Sequence, residues 1–263
     1  MSDLTPLDKA HAAMEAAPED DAARLRFYER LADAELFLLL EKEPENERIA
    51  PEIFETSDAS FVLVFDTEDR MAQFVGRVAP YAGLSGRVIA NMLAGQGIGL
   101  AVNPEVAPSS ILIPSEALGW LADTLEHAPD EVEAKVESFE PPAGLPEVLI
   151  TALDAKLSTA GGLAKMAYLV GTTYESGSRS HMLGFVEVVP GADGALAKAV
   201  NEALTFSGIE AGALDVGFFA ASDPVAAQLA RVGLRFDLPE PPKAEDHVPV
   251  TPGSDPDKPP ILR

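Results

Sequence analysis

Apolar side chains recur at three- and four-residue intervals from the start of the chain. Leu7, Ala10, Met14 and Ala17 share one face behind Thr5-Pro6, and Leu25, Tyr28, Leu31 and Ala32 share another behind Asp20-Asp21. Thr5 suits an N-cap with Pro6 at the first helical position, Pro18 stops the helix, and the paired aspartates suit the positive end of a second one. The spacing predicts two helices before any strand. Leu36 to Leu40 is a short apolar run bounded by Glu35 and Glu41, the pattern of a buried strand. Residues 49–55 and 61–65 flank Thr56-Ser57-Asp58-Ala59-Ser60 as the arms of a hairpin, with Pro51 suiting an edge or a strand end. Asp66-Thr67-Glu68-Asp69 opens a short helix carrying Met71, Phe74 and Val75. Residues 84–93 read as helix, Gly95-Gln96-Gly97 as its end, 98–102 as strand and Asn103-Pro104 as a turn in which the proline biases Asn103 toward an extended backbone. Residues 109–113 return as strand, and Pro114-Ser115-Glu116 opens a helix carrying Leu118, Leu121 and Leu125.

Glu126-His127-Ala128-Pro129-Asp130 breaks this pattern and marks an internal boundary, which makes 1–128 an N-terminal mixed α/β domain and 129–237 a second domain. In the second domain 132–139 alternates as a strand and 145–157 reads as helix. Residues 164–174 and 181–189 are strands joined by a polar turn at Gly177, followed by helix 194–206, strand 213–219 and a last helix from Asp223-Pro224 to Val232. The β-α-β-β-α-β order predicts a ferredoxin-like βαββαβ domain, its strands in the order 4-1-3-2 with both crossover helices on one face. Residues 238–263 hold eight prolines and few apolar residues, so they are expected to be a disordered, acidic, Pro-rich tail that folding does not need. The expected fold class is α+β.

Charge narrows the classes of function. The 263 residues carry 19 Lys plus Arg against 43 Asp plus Glu, a net charge of −24, with 9 basic and 23 acidic residues up to Ala128 and 10 and 20 beyond it. A polyanion with no local Lys/Arg cluster repels phosphate backbones, so nucleic acid is not an expected partner. No apolar run approaches the ~20 residues that cross a bilayer, and the opening residues lack a basic region followed by an apolar one. Neither a membrane partner nor secretion is expected, and the expected location is the cytoplasm. The absence of cysteine excludes disulfides, thiolate nucleophiles and thiolate metal sites.

Motifs with catalytic potential fail on context. Gly95-Gln96-Gly97-Ile98-Gly99 follows a helix and enters a strand, the reverse of a dinucleotide loop. Gly83-Leu84-Ser85-Gly86 brings its second glycine one residue too early for a nucleophile elbow. His11, His127, His181 and His247 fall in separate elements without metal-ligand spacing, and the acidic runs at 41–47, 66–69 and 130–133 lack the glycine and terminal glutamate of a calcium loop. No catalytic, cofactor or metal residues are expected. Two places suit a binding protein: the hairpin tip that carries Tyr174, Arg179 and His181, and Trp120, the single tryptophan, which lies to the side of the Leu118-Leu121-Leu125 face.

The motif order resembles the SseB family, named for enhanced serine sensitivity and built from N-terminal and C-terminal SseB domains. In the first half the resemblance rests on Phe61-Val62-Leu63-Val64-Phe65-Asp66-Thr67-Glu68-Asp69-Arg70 and on Gly99-Leu100-Ala101-Val102-Asn103-Pro104. In the second it rests on Ala167-Tyr168-Leu169-Val170 and the approach to Phe236, and it spans residues 20–237. The family often closes on Pro-Phe-aromatic where this chain has Arg235-Phe236-Asp237, so no role carries over to a terminal aromatic pair. The resemblance implies no established catalytic residue. It implies a cytosolic, non-catalytic protein-binding or regulatory protein with an unidentified protein partner and a link to amino-acid (serine) metabolism. The alternative is a small-molecule-binding module that senses a metabolite in a polar pocket between the two halves.

Overall fold

The computed structural model describes residues 4–44, 49–127, 135–208 and 214–240. Two helices open the chain, α1 (Pro6–Ala16) and α2 (Asp21–Asp33). The Thr5 hydroxyl accepts from the Asp8 N–H while the Asp8 carboxylate accepts from the Thr5 N–H, a reciprocal cap on α1, and Asp20 caps α2. There follow β1 (Glu35–Leu39), β2 (Ile53–Glu55), β3 (Ser60–Phe65), α3 (Glu68–Val75), β4 (Tyr81–Ser85), α4 (Gly86–Leu93), β5 (Ile98–Val102), β6 (Ile111–Ile113) and α5 (Ser115–Glu126).

The first sheet runs β4-β1-β3-β5-β6, with β3 and β5 parallel. β1 and β2 lie end to end on one edge of β3, β1 at Val64 and Phe65 and β2 at Ser60 to Val62, and β2–β3 is the expected hairpin. Alternation along the strands divides the apolar side chains between two faces. Leu36, Leu38, Val62, Val64, Leu100 and Val102 pack with Leu7, Phe27, Leu31, Ile89, Leu118 and Leu121 from α1, α2, α4 and α5. Leu39, Phe61, Leu63, Phe65 and Ala101 form the other face with Met71 of α3.

One helix is shorter than its sequence suggests. Residues 84 and 85 belong to β4, which pairs with β1 over five positions, and α4 begins at Gly86. A Cβ on Gly86 would lie 1.9 Å from the Leu31 carbonyl oxygen, so α4 starts hard against α2 only because this residue has no side chain.

The second sheet is built from β7 (Val136–Glu140), β8 (Ala164–Tyr174), β9 (Arg179–Val188), β10 (Leu214–Phe219) and β11 (Leu234–Asp237), with α6 (Glu147–Thr159), α7 (Asp193–Phe206) and α8 (Pro224–Val232) between them. The α+β class holds, but the ferredoxin-like strand order does not: the sheet runs β10-β9-β8-β11, with β7 also on β8. β10 pairs in parallel with β9 along six positions, Leu214↔His181 to Phe219↔Val186, and so takes the edge that the ferredoxin order gives to the first strand of the unit. β7 pairs instead with the Gly171 to Tyr174 end of the long β8, and β11, too short to register in the sequence pattern, tiles the Met166 to Leu169 end.

α6 and α7 cover one face of this sheet through Leu149, Leu153, Leu196 and Val200, which pack on Leu169, Leu183 and Phe185. α8 covers the other through Ala226 and Leu229, on Tyr168, Val170 and Met182. The expected tail start is also corrected. Leu238 is buried in the α6–α7 core, its N–H donates to the Lys165 carbonyl, and the Pro239 carbonyl accepts from Gly162. Residues 241–263 of the expected tail and the boundary at 128/129 lie outside the described residues.

The halves meet along α2 and α7. Phe206, the last residue of α7, is fully buried in the first core beside Phe27 and Leu121. Gly208 follows at φ +70, where a Cβ would lie 2.7 Å from the Ala22 Cβ.

Candidate functional site

Pro114 starts α5, and its Leu118, Leu121 and Leu125 point into the first core. That phasing turns Trp120 sideways to the gap between α2 and α5, where it stays 42% exposed. Its ring stands edge-on to Tyr28 at 5.5 Å and to Phe206 at 6.3 Å, the geometry favoured by ring quadrupoles. A shallow pocket of about 330 Å3 opens here, lined by Arg24, Leu25, Tyr28, Ala117 and Trp120. At its rim the Arg24 guanidinium pairs with Asp21 at 2.6 Å, both well exposed. Burial holds the Tyr28 phenol above its ordinary value, only partly offset by Arg24, so the hydroxyl remains a neutral donor. The slot thus offers two aromatic walls for an apolar side chain and an exposed cation for a carboxylate beside it.

The other three candidates do not converge. Side chains alternate across β8 and β9, and the register Gly171↔His181 and Thr173↔Arg179 puts His181 and Arg179 on the α6–α7 face. Tyr174 faces α8, and its hydroxyl donates to Asp215 Oδ2 at 2.6 Å. Burial and the Asp215 carboxylate both hold its phenol above the ordinary range. His181 Nε2 lies 3.0 Å from the Ala143 carbonyl oxygen, and Arg179 is exposed where β9 begins. The hairpin tip supplies no common surface for all three.

The structure assembles two polar clusters that sequence reasoning missed. The first gathers the motif residues at the C-terminal ends of β3 and β5. Arg70 donates to both Asp8 and Asp66, the Thr5 hydroxyl donates to Asp66 at 2.6 Å, and the Ser109 hydroxyl donates to Asp8 at 2.6 Å. Asn103 accepts from the Asp66 N–H at 3.1 Å and donates to Ser109 Oγ at 2.9 Å. Its φ of 46° is left-handed rather than extended, because these two bonds outweigh the bias from Pro104, and asparagine tolerates that region. Burial alone would raise the Asp8 carboxyl, but Arg70, Ser109 and the Thr5 N–H hold it well below the usual carboxylate range. Each of these side chains has a partner inside the cluster, which ties α1 and α3 to the sheet. The Thr5/Asp8 capping signal is legible in sequence; an arginine 62 positions from its partner is not.

The second cluster lies between the halves. Arg87 of α4 reaches Asp33 at 2.6 Å and Glu202 at 3.1 Å, while Lys156 of α6 reaches Asp33 and Glu202 at 2.7 Å each and Glu29 at 3.7 Å. Lys156 and Glu202 are almost completely buried. No spacing in the sequence links α2, α4, α6 and α7, so these charges read there as ordinary solvated positions.

Comparison with known proteins adds one match. Residues 7–120 match the SseB protein N-terminal domain, a stretch that runs from Leu7 in α1 to Trp120 in α5 and holds Asp8, Asp66, Arg70, Asn103 and Ser109 together with every residue lining the slot. No curated protein matches the chain, and no solved structure does. By that match residues 7–120 are an SseB protein N-terminal domain, and the strand-helix and Asn-Pro motifs that its polar cluster brings together lie within it.

Proposed function

We propose that this chain is a non-catalytic, cytosolic binding protein of the SseB family that engages a partner protein through the slot between α2 and α5. The observation that carries this reading is Trp120: the single tryptophan stands 42% exposed against Tyr28 with an arginine at the rim. Tryptophan, tyrosine and arginine are the residue types in which binding energy concentrates at protein interfaces, because they combine large apolar area with few rotamers or a planar cation. The partner chemistry that fits is an exposed apolar side chain, laid against the Tyr28–Trp120 pair, with a carboxylate placed for Arg24. A regulatory role connected with amino-acid (serine) metabolism extends this reading and rests on the family resemblance alone. The metabolite-sensing alternative draws less support, since the junction it would use is packed with the Arg87 and Lys156 ion pairs.

The test uses the full chain as bait in native extract beside Trp120→Ala and Arg24→Glu. The proposal expects one protein to be retained by the wild type and lost by both variants. That protein, once purified, should shift or quench the Trp120 emission saturably. Equal retention by all three baits, or no change in emission on adding the purified protein, would overturn it. Circular dichroism of the variants separates lost binding from lost folding.

A further inference from the structure

We propose that the junction between the halves is a proton-operated clasp: one proton taken up by Glu29 neutralises the odd carboxylate of a partly buried five-group cluster and tightens α2 against α6 and α7. The geometry leaves one acid over. Glu29 and Asp33 lie one turn apart on α2 and face Arg87 on α4, Lys156 on α6 and Glu202 on α7, which makes three carboxylates to two ion-paired cations. Asp33 and Glu202 each bond to both cations. Glu29 does not share them equally: its Oε1 is buried with no hydrogen-bond partner, and the Lys156 ammonium stands 3.7 Å away. A buried carboxylate oxygen with no donor costs free energy that a proton removes.

The neighbours decide which acid takes that proton. Burial would raise Glu202, but Arg87 and Lys156 together hold it below the usual range, so it stays charged. Burial pushes Glu29 up to about 7; Lys156 and, from the adjacent position on α2, Arg30 offset this only in part, and Asp33 and Glu202 add to it. A carboxyl raised on folding contributes stability that is complete below its ordinary value of 4.5 and is lost as pH rises through about 7. The clasp is therefore closed in mild acid and loosened above neutrality.

Urea midpoints of the full chain, wild type and Glu29→Gln, between pH 5 and 8.5 test this. The expected result is that the wild-type folding equilibrium falls by ~100-fold relative to Glu29→Gln as pH rises across this range, with the two alike at pH 5. Because both chains carry the same histidines and other acids, their difference isolates position 29. Parallel pH profiles would overturn the proposal. Should Glu29→Gln fail to fold, carbon-detected NMR titration of the Glu29 carboxyl in the wild-type chain decides the matter: a midpoint near 7 supports the clasp, and one near 4.5 refutes it.

Discussion

Phe206 of α7 meets the edge of Trp120 of α5 with ring centroids 6.3 Å apart and planes at 89°, so the last turn of a helix from the second half stands against the helix that carries the candidate slot. Phe206 is fully buried, and its neighbours belong to the first core. Phe206→Ala should cost about 3–5 kcal/mol, the usual cost of opening a cavity of that size. Because Trp120 is the only tryptophan, the same change should shift its emission in the native state. Urea unfolding followed by that emission reads both effects.

Asp8→Asn should destabilise the chain by about 3 kcal/mol at neutral pH, since it leaves Arg70 with one uncompensated contact in a buried cluster. The pH dependence has a definite sign. A carboxyl held low on folding contributes stability above its ordinary value of 3.8 that is lost as pH falls below it. Wild type and Asp8→Asn should therefore differ most above pH 4 and converge in acid, as urea midpoints from pH 2 to 6 would show.

Asn103 combines a φ of 46° with two side-chain hydrogen bonds. Asn103→Ala should cost about 2–4 kcal/mol, from the left-handed backbone, the unpaired Asp66 N–H and the donor lost to Ser109 Oγ, whose own hydroxyl still donates to Asp8. Asn103→Gly relieves the backbone and should recover about 1 kcal/mol of that loss. Equal melting temperatures for the two variants would show that only the side-chain bonds matter.

A chain ending at Asp237 should be less stable than one ending at Glu240 by about 2 kcal/mol. The difference is the burial of Leu238 and the loss of the Pro239 carbonyl that accepts from Gly162. Thermal melts of the two truncations provide the comparison.

Local signals in the sequence were strong wherever period and cap agreed. Thr5-Pro6, Asp20, Thr67 and Asp223 each open the helix expected of them, and the 53–65 hairpin and the 164–188 hairpin fall where alternation and turn residues put them. What escaped is non-local. Leu84 and Ser85 continue the helical period of the residues after them, yet they end β4, a strand with Gly83 in its middle, because β1 offers it an edge. The strand order of the second sheet depends on β10 choosing β9, a pairing that no local pattern encodes. At the candidate slot, helical phase alone places Trp120 to the side, yet Tyr28 and Arg24 join it only through the packing of α2 on the first core. Tyr174, Arg179 and His181 are close in sequence, but strand alternation sends Tyr174 to the opposite face.

α7 serves two interiors at once, with Leu196 and Val200 in one and Phe206 in the other. A helix shared in this way makes the halves poor candidates for separate melting: opening either core withdraws support from the other. Heat should therefore unfold the body of the protein in one cooperative event, a single calorimetric peak rather than two, and a lesion at Leu121 should lower the temperature at which the second sheet comes apart as well as the first.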